Sequence, residues 1–83
     1  MATRAYILIE AAVGKAKPVA EGVAGMGFPN ARVVTVDAVT GPYDVIALLE
    51  ADDLDRLGTA ITDSIQQVDG VQRTTTCLVV RLG

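Results

Sequence analysis

The stretch that decides how this chain folds runs Ala31-Arg32-Val33-Val34-Thr35-Val36-Asp37-Ala38-Val39-Thr40-Gly41-Pro42-Tyr43-Asp44-Val45-Ile46-Ala47-Leu48-Leu49-Glu50-Ala51. Ala31 to Thr40 is dominated by β-branched residues, and Tyr43 to Ala51 is apolar almost throughout. Runs of this length and composition read as strands. Gly41-Pro42 separates them, and glycine can supply the positive φ that a tight turn between antiparallel strands requires. A β-hairpin is therefore expected at the centre of the chain.

Working outward, Arg4 to Ala12 reads as a further strand, rich in aromatic and β-branched residues and too short for a buried helix. From Lys15 to Met26 the apolar period changes. Ala16, Val19, Val23 and Met26 recur at three- and four-residue steps, so they share one face of a helix. Pro18 is tolerated there only in the first turn, where a missing N–H has no partner to lose. Gly22 and Gly25 lower the helix propensity by about 1 kcal/mol each, so packing must hold this helix. On the far side of the hairpin, Asp52 or its neighbour Asp53 supplies an N-cap. Leu54, Leu57, Ile61, Ile65 and Val68 then form an apolar stripe, and Gly70 is read as the glycine that stops the helix. Val71 to Leu82 closes the chain as a long threonine- and valine-rich strand.

The element order is β-α-β-β-α-β, the ferredoxin-like arrangement of the α+β class. A four-stranded antiparallel sheet with two helices on one face is expected, as a single domain over residues 1–83. One feature strains against a monomer. Strands of a sheet covered on one side should alternate apolar and polar. Val45, Ile46, Ala47, Leu48 and Leu49 do not, nor do Tyr6, Ile7, Leu8 and Ile9. Both faces of the sheet call for burial. The expectation is a homodimer in which two such sheets meet face to face, as a dimeric α+β barrel.

Composition narrows function by exclusion. The chain has 83 residues, 51% of them hydrophobic, with 7 basic against 10 acidic side chains, a net charge of −3 and no histidine. A small acidic domain lacks the basic face that neutralises phosphates, so direct nucleic-acid binding is not expected. Histidine-based catalysis and histidine-ligated metal sites are excluded outright. The single cysteine, Cys77, closes no intrachain disulfide and builds no zinc cluster. Neither a cofactor nor a metal is expected. Glu10 interrupts the first apolar run, and no stretch approaches the roughly 18 to 20 apolar residues that span a bilayer. A cytoplasmic protein with no membrane partner is the expectation.

Known site patterns fare poorly as well. Gly22, Gly25 and Gly27 read G-x-x-G-x-G, the reverse of the dinucleotide fingerprint, and they end a helix instead of opening one. Gly14-Lys15 lacks the upstream glycine and the following Ser/Thr of a P-loop. Asp52, Asp53 and Asp55 are accounted for by capping. Asp37 and Asp44 lie on opposite arms of the hairpin, close enough to serve together in acid–base chemistry. What stands out is Thr40-Gly41-Pro42-Tyr43-Asp44, together with Thr74, Thr75 and Thr76. A glycine turn can leave backbone N–H groups open to an anion, and a carboxylate beside them suits an ammonium group. That combination fits the zwitterion of a free amino acid, with threonine hydroxyls able to donate and accept alongside.

These residues resemble a known family. Val39-Thr40-Gly41-Pro42-Tyr43-Asp44-Val45-Ile46-Ala47 is similar to the hairpin of the Lrp/AsnC ligand-binding domain, also called RAM. The likeness continues through Leu57, Ile61 and Ile65, then through Val68-Asp69-Gly70-Val71-Gln72-Arg73-Thr74-Thr75-Thr76 into the last strand. Gly14 also falls where the family often has glycine. The resemblance implies sheets paired into dimers, further association into an octamer of four dimers, and an amino-acid effector bound between dimers. It implies that Gly41, Tyr43 and Asp44 shape that pocket and that Thr74 and Thr76 help to hold the ligand, with Pro42 affecting loop rigidity. Full-length members carry an N-terminal helix-turn-helix domain, whereas here the likeness begins almost at Met1. The expectation is a stand-alone form that acts by assembling with itself or with a full-length regulator. Two alternatives stay open at this point: a small enzyme of the dimeric α+β-barrel type, using Asp37 or Asp44, and a purely structural oligomerisation module.

Overall fold

The fold was analysed in a computed structural model, which describes residues 2–28 and 31–82. Along the chain run β1 (Thr3–Ala11), α1 (Ala16–Ala24), β2 (Ala31–Ala38), β3 (Val45–Ala51), α2 (Leu54–Asp63), a 3-10 turn over Ile65–Gln67, and β4 (Val71–Leu78). The strands form one antiparallel sheet in the order β2-β3-β1-β4. The two most apolar strands, β1 and β3, are therefore its centre. This is the βαββαβ, ferredoxin-like topology expected from the chain.

The core lies between the sheet and the helices. Ala5, Ile7 and Ile9 of β1 and Val45, Ala47 and Leu49 of β3 are fully buried, the alternate residues of each strand. Val19 and Val23 of α1, with Leu57 and Ile61 of α2 and Ile65 just beyond it, close over them. Among the described residues, no polar or charged one is buried. Pro18 sits in the first turn of α1, where its missing N–H is harmless. Asp53 caps α2, its Oδ1 accepting from the Arg56 N–H at 2.8 Å.

Several boundaries differ from the sequence reading, each for a physical reason. β2 ends at Ala38 and β3 begins at Val45, so a loop over 39–44 replaces a tight Gly-Pro turn. Proline fixes φ near about −65°, whereas a two-residue type I′ hairpin requires positive φ at both central positions. Gly41 nonetheless takes a φ of 140°. β4 stops at Leu78, not Leu82: Leu78 pairs with Ala5, and Val79 makes a last bond to the Arg4 carbonyl. α1 ends at Ala24, with Gly25 as its C-cap. Leu54 falls within the angular stripe of α2 yet is 59% exposed. It is the first residue of the helix, whose buried residues begin one turn later at Leu57. The second helix also gives way at Ser64 to a 3-10 turn, so Val68 lies outside it.

Gly70 is a correction of a different kind. It stands two residues past the 3-10 turn's C-cap, so it does not cap a helix. Its φ is +98°, and a Cβ there would lie 2.9 Å from Lys15 Cβ and 3.1 Å from Val19 Cγ2. The turn into β4 therefore packs backbone-on against the start of α1. Gly70→Ala should destabilise the protein by about 1–3 kcal/mol through backbone strain and overpacking. Gly58→Ala, in an exposed helical position with open space around it, should instead add up to about 1 kcal/mol. Urea midpoints of the two variants against wild type measure both; equal midpoints would refute the packing role of Gly70.

Candidate functional site

Asp44 organises the hairpin. Its main-chain N–H donates to the Ile9 carbonyl, and its own carbonyl accepts from the Val39 N–H, both at 2.9 Å. Its Oδ2 accepts from the Ala11 N–H at 2.8 Å. One half-buried residue thus ties the loop to itself and to the end of β1. By contrast, the main-chain N–H groups of Thr40, Gly41 and Tyr43 meet no acceptor among the described residues. Thr40, Gly41 and Pro42 are exposed, and Tyr43 is half-buried. The loop is closed by the bond between Val39 and Asp44 and fastened to β1 by Asp44, with the unpaired donors lying between these two residues.

The threonines arrive from the far side of β1. Thr74 lies opposite Ile9 and Thr76 opposite Ile7, while Thr75 lies opposite Leu8. Because side chains alternate, Thr74 and Thr76 share the helix-covered side and Thr75 projects from the other. The structure therefore does not bring the three hydroxyls to one face. Val45, next to Asp44, is also opposite Ile9, so Thr74 and the hairpin flank the same end of β1, two strand spacings apart, or about 10 Å. The Thr74 hydroxyl accepts from Gln66 Nε2 at 3.0 Å. Asp37, paired in register with Ile46, is exposed on the face opposite the helices.

The sequence reading missed two contributors here. The Ala11 amide is a main-chain group and leaves no trace in residue identity. Gln66 sits in a 3-10 turn, which the apolar period alone does not distinguish from ordinary helix. Two clefts lie elsewhere. One of about 560 Å³ is lined by Phe28 and by α2 and its cap, including Asp53, Asp55, Thr59 and Asp63. A smaller one, of about 210 Å³, lies by Arg32, Glu50 and Asp52. Neither is lined by the hairpin or by Thr74–Thr76.

The second notable surface is the open face of the sheet. Tyr6, Leu8, Ile46 and Leu48 form its middle, with Tyr6 45% exposed and Leu48 screened by its neighbours. Both helices pack on the other side. At one end of this face Glu50 is held between two guanidinium groups, Arg4 Nε at 2.9 Å and Arg32 Nε at 3.1 Å. The hydrogen bond from Arg4, then that from Arg32, keeps the Glu50 carboxyl below the ordinary glutamate range.

Comparison with known proteins converges on one family. The model of the Lrp/AsnC ligand binding domain matches residues 4–82. Among solved structures, TTHA0845 from Thermus thermophilus is similar over 98% of this chain and 96% of its own, with a TM-score of 0.84 and 32% identity. The hypothetical protein PHS023 from Pyrococcus horikoshii is similar over 99% of this chain and 93% of its own, with a TM-score of 0.81 and 33% identity. The transcriptional regulator NMB0573 from Neisseria meningitidis, solved as an L-Met complex, shares the fold at 21% identity with a TM-score of 0.78. There 95% of this chain covers 50% of the regulator. Among curated proteins, none matches significantly.

The Arg4–Glu50–Arg32 cluster carries a pH signature. A carboxyl lowered in the folded state contributes stability that is full above its unfolded pKa and is lost as pH falls through the folded value. Glu50→Gln should therefore lower Tm at neutral pH, and the two proteins should converge as pH drops below the ordinary glutamate range. Parallel Tm-against-pH curves would show that the cluster is unimportant for folding.

Proposed function

We propose, from the premise that this chain belongs to the Lrp/AsnC ligand-binding domain family, that it is an oligomeric module binding a free amino acid and modulating transcription through its assembly state. The observation that carries this reading is the hairpin: Asp44 anchors it to β1 while the N–H groups of Thr40, Gly41 and Tyr43 have no acceptor among the described residues. Unpaired amides on an anchored loop are matched by a carboxylate, and a free amino acid supplies one. Gly41, Tyr43 and Asp44 shape the pocket in this reading, and Thr74 and Thr76 supply hydroxyls from the flanking strand. The L-Met complex of the neisserial regulator accords with a ligand of this class. No helix among the described residues is long and apolar enough to cross a membrane, which accords with action in the cytoplasm.

Assembly follows from the open face. A second copy laid on Tyr6, Leu8 and Ile46 removes their remaining exposed surface from water, at about 25 cal/mol for each Å² of apolar area covered. The effector site is then built where dimers meet, with a neighbouring copy closing over the hairpin. Light scattering at micromolar concentration should report a dimer or a multiple of it; a monomer would refute this arrangement.

A thermal-shift screen against the common L-amino acids tests the ligand. An effector at a hundred times its Kd adds about 2.7 kcal/mol if it binds only the native state, enough to raise Tm by several degrees. If none of them moves Tm, the amino-acid reading fails and a ligand-free oligomerisation role takes its place.

A further inference from the structure

We infer that Asp44 is a positioning residue whose carboxylate sets the hairpin by holding the Ala11 amide, and that its charge is not the group that grips the effector. This deepens the effector-site reading above and rests on it.

The geometry begins with strand periodicity. In β1 the polar groups of Ile9 and Ala11 point to the same neighbour, because main-chain direction alternates residue by residue. That neighbour is β3, whose regular pairing ends at Val45 opposite Ile9. Ala11 therefore presents its N–H beyond the last paired residue of β3. On its other side the register with β4 shifts between Glu10 and Ala11, so the ladder is irregular at this residue. Left alone, the half-buried Ala11 amide would lack a partner, and an unpaired buried donor is destabilising. Asp44 supplies the acceptor from its side chain at 2.8 Å while its own N–H donates to the Ile9 carbonyl. A single residue thereby spans Ile9 and Ala11.

This fastening has reach in two directions. Through the Val39 N–H to Asp44 carbonyl bond it closes the loop that bears Gly41. Through the adjacent residue of the chain, the Ala12 N–H donates to the Gly70 carbonyl at 2.8 Å, which joins the same strand end to the turn before β4. Hairpin and threonine strand are thus referenced to one short piece of chain, Ile9 to Ala12. A carboxylate engaged in this way acts through the loop it holds. What it must provide is an acceptor at a fixed place, and a neutral amide oxygen can provide that too, through a weaker bond.

Asp44→Asn, Asp44→Glu and Asp44→Ala separate the two roles. Affinity is read by titrating each common L-amino acid singly, and the fastening is read by hydrogen exchange at the Ala11, Asp44 and Val39 amides in the intact oligomer. The expectation is that Asp44→Asn keeps the Ala11 amide protected and holds affinity within about threefold. Asp44→Ala should lose that protection and weaken binding about tenfold or more. Asp44→Glu should show binding that follows whatever protection it retains. Loss of affinity in Asp44→Asn with Ala11 still protected would overturn the inference in favour of direct charge recognition. So would full affinity in a variant whose Ala11 amide is unprotected. If no amino acid binds the wild type, the effector reading fails separately. Exchange then decides the positioning role alone, and unchanged protection at Val39 and Asp44 in the alanine variant would refute it.

Discussion

A four-stranded sheet has two faces, and this chain has helices enough for one. That constraint governs most of what the structure does. Val19, Val23, Leu57, Ile61 and Ile65 are spent on the inner residues of β1 and β3. The outer residues of the same strands, Tyr6, Leu8, Ile46 and Leu48, are as apolar as the inner ones but have only each other. Small domains bury a modest share of their unfolded surface and sit close to the limit of stability. A sheet with an uncovered apolar face can recover the missing stabilisation only by meeting another surface, and the surface always available is its own copy. In the proposed homodimer, assembly is part of folding, and a site near the sheet margin is shaped by more than one chain.

The charged groups are placed consistently with that view. The Arg4–Glu50–Arg32 cluster lies at one end of the open face, outside its apolar middle. Exposed ion pairs of this type contribute little by themselves. Their position matters more: side chains with satisfied charge can border a dry patch without leaving an unpaired charge to be buried when the patch is covered.

How far the residues alone foretold this structure can be argued case by case. Strand and helix order was legible because short runs rich in β-branched and aromatic residues alternate with segments whose apolar residues recur at three- and four-residue steps. The positive φ of Gly41, the Asp53 cap and the first-turn Pro18 were legible because each is a local rule about one residue type. Errors arose wherever a partner sets the outcome. Val79 to Leu82 have the composition of a strand, but pairing with β1 closes at Leu78, and a single further bond joins Val79 to Arg4. Leu54 has the right angle on its helix but, as its first residue, stays exposed. Thr74, Thr75 and Thr76 look like one group in a line of text, and alternation sends the middle one to the opposite face.

Asp44 shows the same limit at the candidate site. Beside a glycine turn, a carboxylate reads as a receptor for an ammonium group, because residue type advertises charge. What the type cannot advertise is a main-chain donor across a strand end, and that is where Oδ2 is spent. The consequence reaches past one residue. The loop is held by the Asp44 side chain and by the main-chain bonds of Val39 and Asp44, and these leave the amides between them unpaired among the described residues. In the proposed reading, the Asp44 carboxylate fastens the loop through Oδ2, and the unpaired N–H groups of Thr40, Gly41 and Tyr43 are what the loop offers to an effector.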